Sequence, residues 1–290
     1  KRSGCCKNMN DQAKKRATTL VREAEARLAS FTLFGFGVEA KHSDAADKFK
    51  MAGNQFILAQ AWEEAGDAFT KAGTNFKVVG EKLEYVNSLV SAAQAYKKDK
   101  LLSAKAIEAF ILAIDDYNMN GRFSRSAQYL KEVAEIYEAD DNYEMAIETY
   151  EQTAQLHLND NKPSQAQKIQ LQIATMLSEK IENYEKASSI YYDVGQSSME
   201  SNLGKFSAKG HFFCYLLCLT AMGDCVALSE GVETCKSIDY SFGNSRECEF
   251  ITKLVKAVEE NDEAEYATAC TEFDNITPLD SMKTTLLLKK

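Results

Sequence analysis

Tyr143-Glu144-Met145-Ala146-Ile147-Glu148-Thr149-Tyr150, preceded by Ala134-Glu135-Ile136-Tyr137, decides the fold, because it returns as Tyr184-Glu185-Lys186-Ala187-Ser188-Ser189-Ile190-Tyr191 after Ala174 to Leu177. Looser copies stand upstream, Ala52 to Phe56 with Trp62 to Phe69 and Ala93 to Tyr96 with Ser103 to Phe110. Aligned, they give one column of Ala65, Ala106, Ala146 and Ala187 and, four residues on, a second of Phe69, Phe110, Tyr150 and Tyr191, at a period of about 41 residues. Residues four apart share a helix face, so the small side chain admits a neighbouring helix and the ring fills the adjoining gap. Each copy reads as two helices and a short turn.

Such a pair cannot bury its apolar face alone, and stacked copies can. The period exceeds the roughly 34 residues of tetratricopeptide repeats and matches the roughly 40 to 47 of longer helical-pair repeats. The expected fold is all-α: a right-handed tetratricopeptide-like helical-hairpin solenoid of about 40-residue repeats, closed by a C-terminal helical bundle. The expected organisation is a repeat array over 1–240, carrying a distinctive loop at 31–38, and a helical cap over 241–290. Within 290 residues there are only two prolines, Pro163 and Pro278, and no Pro/Gly/Ser-rich linker, so one continuous array is expected.

The 45% hydrophobic fraction supplies a continuous core. No apolar run reaches the roughly 18 to 20 residues of a membrane span and no signal-peptide pattern opens the sequence, which points to the cytosol. The eight cysteines lack the spacing of a disulfide framework or zinc ribbon and read as reduced, buried small residues. A net charge of -9 argues against nucleic acid. Its distribution is uneven. Lys1, Arg2, Lys7, Lys14, Lys15, Arg16, Arg22 and Arg27 make the start basic, whereas Glu259, Glu260, Asp262, Glu263, Glu265, Glu272 and Asp274 make the far end acidic. Such polarity suits an anionic surface at one end and a basic partner at the other, or plain solvated faces.

No constellation of catalytic residues stands out. Gly73 to Gly80 has a phosphate-loop spacing but is followed by Glu81 instead of Lys and Ser/Thr, so it is expected to be a helix-connecting turn. His42, His157 and His211 stand apart. His211, Cys214 and Cys218 share a helix face, yet Phe212, Phe213, Tyr215, Leu216 and Leu217 make that helix core-like and no fourth ligand is near, so packing is expected and no metal or cofactor. A non-enzymatic chain follows.

Phe31-Thr32-Leu33-Phe34-Gly35-Phe36-Gly37-Val38 breaks the polar pattern around it. Its two glycines disfavour helix. Phe31, Leu33, Phe34 and Phe36 either pack back on the first helices or insert into a bilayer interface, where each fully buried apolar side chain contributes roughly 1.5 to 3 kcal/mol and nearby cations attract anionic lipid.

These segments resemble the soluble NSF attachment proteins, the alpha type more than the gamma type, from about residue 17 to 288. The resemblance is carried, in order, by Ala65-Gly66-Asp67-Ala68-Phe69, Ala95-Tyr96-Lys97-Lys98, Gly121-Arg122-Phe123, Ala134-Glu135-Ile136-Tyr137-Glu138, Lys205-Phe206-Ser207-Ala208-Lys209, Ser245-Arg246-Glu247-Cys248 and Thr284-Thr285-Leu286-Leu287-Leu288. It implies an adaptor that coats the four-helix bundle of assembled SNAREs, recruits the hexameric ATPase NSF for SNARE disassembly, and acts in the cytoplasm, peripherally on membranes. It implies a SNARE-facing basic stripe of Lys97, Lys98, Arg122, Lys168, Lys205, Lys209, Arg246 and Lys253, membrane attachment through Phe31, Leu33, Phe34 and Phe36, and docking of the ATPase on the acidic Glu259, Glu260 and Glu263.

Three departures qualify the match. Gln128 replaces a lysine that the alpha-type pattern carries shortly after Gly-Arg-Phe, with Arg125 nearly one turn earlier as a substitute. The sequence stops at Lys290, before the acidic tail whose near-terminal leucine stimulates the ATPase in the family. The opening Lys1-Arg2-Ser3-Gly4-Cys5-Cys6-Lys7 is not family-like, and its cysteine pair fits either acylation or ordinary divergence. The competing reading is a generic tetratricopeptide-like interaction scaffold that captures peptide tails, which would prefer free segments over an assembled bundle.

Overall fold

The computed structural model describes residues 2–30 and 37–289, with side chains from Met9 onward. Phe31, Leu33, Phe34 and Phe36 therefore lie outside the described residues, as do the side chains of Cys5 and Cys6. All regular structure in the described residues is helical, and the chain forms two compact units, 1–160 and 161–290. The sequence reading put its boundary at 240/241, a point inside the second unit.

The first unit is an up-and-down array of α1 (Arg2–Ala29), α2 (Val38–Leu58), α3 (Trp62–Val79), α4 (Lys82–Tyr96), α5 (Ser103–Met119), α6 (Phe123–Ala139) and α7 (Tyr143–Asn159), each packed on the next. The period comes from the turns. Gln60, Gly80, Gly121 and Asp141 all adopt the left-handed conformation just after a helix. The amide that follows each reaches back to close it: Ala61 to Phe56 O at 2.9 Å, Glu81 to Phe76 O at 2.9 Å, Arg122 to Tyr117 O at 2.8 Å and Asn142 to Tyr137 O at 2.9 Å. This is the Schellman termination, which satisfies the orphan carbonyls and reverses the chain in two or three residues. The α4–α5 corner departs from it, using a 3-10 turn at Lys100–Leu102 that Asp99 caps through the Leu101 amide at 3.0 Å.

The two repeat columns are where the small-then-aromatic logic puts them. Ala65, Ala106 and Ala146 have no exposed surface, and Phe69, Phe110 and Tyr150 are 3%, 0% and 0% exposed. Burial of each ring contributes roughly 1.5 to 3 kcal/mol. Glycines extend the scheme across helices. Gly53 of α2 admits the Phe69 ring of α3, to which a β-carbon would come within 2.8 Å, and Gly66 of α3 admits Tyr96 of α4. Tyr129 of α6 stacks between Phe110 and Tyr117 of α5 at centroid distances of 5.8 and 5.7 Å.

The second unit holds α8 (Pro163–Met176), a π-helical turn at Leu177–Ile181, α9 (Tyr184–Met199), α10 (Lys205–Met222), α11 (Cys225–Ile238), the short α12 (Tyr240–Gly243), α13 (Arg246–Glu259), α14 (Glu263–Ile276) and α15 (Ser281–Leu288). Ala187 and Tyr191 continue both columns in α9. Helix α10 is apolar on all sides for most of its length, and it is accordingly central, packed on α9, α11, α13 and α15. Its Phe213 meets Phe250 of α13 and Phe273 of α14 at 6.1 and 5.4 Å. Asp224, Ser245, Asp262 and Asp280 cap the helices they precede with their side-chain oxygens.

One expectation is corrected. Gly73 to Val79 is not a turn but the last part of α3; only Gly80 reverses the chain. Gly73 is buried because α4 passes close by, with Ser88 Cβ 3.3 Å from where its own β-carbon would lie.

Candidate functional site

In the first unit the basic candidates differ in availability. Lys98 and Arg122 are exposed, as are Arg125 and Gln128 of α6. Lys97, at the end of α4, is engaged: its Nζ donates to Glu135 Oε2 at 2.9 Å and Glu132 Oε2 at 3.1 Å, both on α6. Burial works against its charge, but these two carboxylates outweigh that and raise the Lys97 pKa. Other lysines of this unit likewise tie alternate helices, Lys14 of α1 to Glu64 of α3 at 2.6 Å and Lys105 of α5 to Glu63 of α3 at 2.8 Å. Part of the basic character of the N-terminal sequence is thus neutralised internally. Arg122 lines a cavity of about 150 Å³ with Lys82, Leu83, Val86, Asp116, Tyr117 and Asn120.

In the second unit Lys168 is exposed on α8, Lys205 is exposed at the start of α10, and Arg246 is exposed at the start of α13. Lys209 pairs with Glu247 at 2.9 Å and so joins α10 to α13 beside Arg246. Burial opposes ionisation of Glu247, yet the Lys209 hydrogen bond keeps its carboxyl below the usual range. Lys253 reaches Glu272 of α14 at 3.1 Å and Glu249 at 3.7 Å. Arg246 and Lys253 share a groove of about 90 Å³ between α13 and α14, floored by Phe250, Ala269 and Phe273. The fold thus brings Lys209, Arg246 and Lys253 together around α13. Among the described residues Lys168 and Lys205 make no ion pair.

The acidic candidates cluster at one tight turn. Glu259 and Glu260 end α13, Asn261 is left-handed, Asp262 caps α14 through the Glu265 amide at 2.9 Å, and Glu263 opens that helix; all three candidate glutamates are exposed. Glu263 suits the positive end of the α14 dipole, so helix stability alone accounts for it. Glu259 and Glu260 sit at the negative end of α13, where an anion is unfavourable, and Lys256 only partly offsets this at 3.9 Å from Glu260.

The buried thiols offer no chemistry. Burial pushes Cys214 up to about 11 and Cys218 up to about 12, so both stay protonated at neutral pH, and burial lowers the His211 pKa. No group of three or more His, Cys, Asp or Glu among the described residues is arranged to hold a metal, and no described helix is long and apolar enough to cross a membrane. Sequence reasoning passed over Leu203 and Phe206, which flank Lys205 and are 85% and 86% exposed. Their signal was an apolar pair around a cation where a connecting segment enters α10.

Comparison with known proteins identifies the family of the chain. The family model described as "Soluble NSF attachment protein, SNAP" matches residues 15–290. The chain is 34% identical over 268 residues to an alpha-soluble NSF attachment protein of Vitis vinifera, covering 92% of this chain and 90% of that protein. It is 34% identical to the Homo sapiens alpha-soluble NSF attachment protein (94% and 92% covered) and 31% identical to the vesicular-fusion protein SEC17 of Komagataella phaffii (94% and 93% covered). With a helical-hairpin array, a collinear match over nearly its whole length and relatives above 30% identity from plant, animal and fungus, the chain belongs to the soluble NSF attachment protein family.

Proposed function

We propose that this chain is a non-enzymatic adaptor of vesicle fusion: it binds assembled SNARE complexes and recruits the NSF ATPase for their disassembly. The observation that carries this is the family match over residues 15–290, which spans both basic regions and the acidic turn. The geometry adds support. Lys98 just after α4 and Arg122 just before α6 in one unit, and Lys168, Lys205 and Arg246 on α8, α10 and α13 in the other, present exposed cations suited to an acidic helical bundle. The exposed Glu259-Glu260-Asn261-Asp262-Glu263 turn suits basic surfaces of a hexameric ATPase. Phe31, Leu33, Phe34 and Phe36 are proposed to attach the chain peripherally to membranes from the cytoplasmic side.

Reversing Lys168 and Lys205 to Glu tests the SNARE-facing assignment. The double variant should keep its helical circular dichroism and bind assembled SNARE bundles more weakly, with the deficit shrinking as salt rises. Full binding by the folded variant at low salt removes both residues from the contact.

A further inference from the structure

We propose that the cleft between α14 and α15 is a binding site for a small amphiphilic amine, whose aromatic or branched aliphatic body fills the cleft while its ammonium group pairs with Asp274. This goes beyond the adaptor reading and does not depend on it.

The cleft has a volume of about 330 Å³, within the range of small-ligand sites. Its walls are Tyr266, Ala267, Cys270 and Thr271 of α14, Leu279 of the connection and Leu287 of α15. The side chains that α14 places at its centre are small, and polar straps hold the two helices at either end. The Leu279 amide donates to Asp274 Oδ1 at 2.8 Å, and the Tyr266 hydroxyl donates to Leu287 O at 3.1 Å. Helix α15 is also anchored independently of α14: Met282 and Leu286 are buried, the helix packs on α10 and on the Leu177–Ile181 turn, and Lys289 Nζ donates to Glu182 Oε1 at 2.5 Å. A cleft fixed in this way needs little ordering when a ligand enters, which favours affinity. Straps at both ends suit a compact ligand better than an extended peptide.

Charge selects the occupant. Helix α14 carries Glu263, Glu265, Glu272 and Asp274 and no basic residue. Glu272 is answered by Lys253. Asp274, the charged residue of the cleft, is exposed and makes no ion pair among the described residues. It stands in the last turn of α14, where the helix dipole adds negative potential. Both lysines of this end of the chain are engaged elsewhere, Lys283 by Asp280 and Lys289 by Glu182. A ligand's ammonium group therefore meets an unanswered carboxylate, whereas an anion is repelled. Burial raises the Cys270 pKa, so its thiol stays neutral at pH 7 and keeps that wall weakly polar.

The test uses phenylbutylamine, phenylbutanol and phenylbutanoate, which share a ring and chain and differ in charge. The readout is the rate at which iodoacetamide alkylates Cys270 near about pH 8.5, followed by peptide mass spectrometry, with the partly exposed Cys225 as reference in the same chain. The amine should slow alkylation of Cys270 and leave Cys225 unchanged. The alcohol should need roughly two- to fivefold higher concentration for the same protection, and the carboxylate more still. Asp274→Asn, whose amide oxygen can still accept from Leu279, should bring the amine to the alcohol's level. Ala267→Phe, which fills the cleft from an exposed position, should remove the dependence on amine, and melting temperatures show that both variants are folded. Absence of Cys270 protection by the amine, equal affinity for the three compounds, or undiminished protection in folded Ala267→Phe would overturn the proposal. Protection that rises with protein concentration alone would assign the cleft to a second copy, and protection by NSF without protection by the amine would assign it to the ATPase; either result also overturns it.

Discussion

Gly66 of α3 lies against the Tyr96 ring of α4 so closely that a β-carbon on it would overlap the ring, while the Tyr96 hydroxyl donates to Asp67 Oδ1 at 2.6 Å on the next residue of α3. One glycine and one acid thus seat a single ring, apolar face on the gap and polar tip on the carboxylate. Alanine at Gly66 would gain helix propensity of roughly 0.5 to 1 kcal/mol and lose more to overpacking, which typically amounts to about 1 to 3 kcal/mol. Gly66→Ala should therefore lower the urea midpoint of unfolding, and Tyr96→Phe should lower it less. An unchanged midpoint for Gly66→Ala would show that the ring moves aside freely.

Alkaline pH should weaken the second unit. An unfolded thiol ionises near about 8.5, whereas burial pushes Cys214 up to about 11 and Cys218 and Cys235 up to about 12. Between those values ionisation favours the unfolded chain, so the stability these thiols contribute is whole below the unfolded value and drains away as pH rises through the folded ones. Tyr191 and Tyr266, also raised by burial, act in the same direction at higher pH. Melting temperatures under reductant should fall steadily from about pH 8.5 upward, and replacing Cys218 with Ala should flatten the slope. A melting temperature constant to pH 10.5 would contradict the burial of these groups.

Much of the fold was legible because the residues that set it are local. The Ala65, Ala106, Ala146 and Ala187 column and the ring column beside it turned out buried as a four-residue helical offset requires. The Gly73 to Gly80 segment was misread because a glycine serves close packing as readily as it serves a turn, and sequence spacing does not separate the two uses. The binding candidates were legible as residue types and not as states. Lys97 and Lys98 are neighbours in sequence, yet one is clasped by Glu132 and Glu135 some 35 residues away and the other is exposed. Only the tertiary structure, which brings Glu132 and Glu135 of α6 to the residue that ends α4, creates that difference.

The Lys97 clasp yields its own prediction. If Lys97 contacts a partner, it must leave Glu132 and Glu135, so Glu132→Gln/Glu135→Gln should strengthen binding to an acidic bundle while removing a partly exposed ion pair worth about 0 to 1 kcal/mol. Binding isotherms at fixed low salt and denaturant midpoints measured side by side would show it. Unchanged affinity together with a lowered midpoint would make Lys97 a tie between helices and nothing more.

The acidic turn should separate from the basic surfaces. Replacing Glu259, Glu260 and Glu263 with Lys should abolish most NSF recruitment and spare SNARE binding, because the exposed turn joins α13 to α14 and none of the three candidates pairs with the basic stripe residues. Co-precipitation with each partner alone and with both together measures it. Full recruitment by the reversed variant at ordinary salt would reduce this turn to a solvated face.

The central claim is tested most directly by the amount of NSF retained on an immobilised, assembled SNARE bundle, with and without this chain, under conditions that block ATP hydrolysis. The adaptor reading predicts retention that depends on the chain, saturates with it and is absent when the assembled bundle is replaced by its separated helices. Chain-independent retention, or equal capture of the separated helices, would contradict it and favour a peptide-binding scaffold.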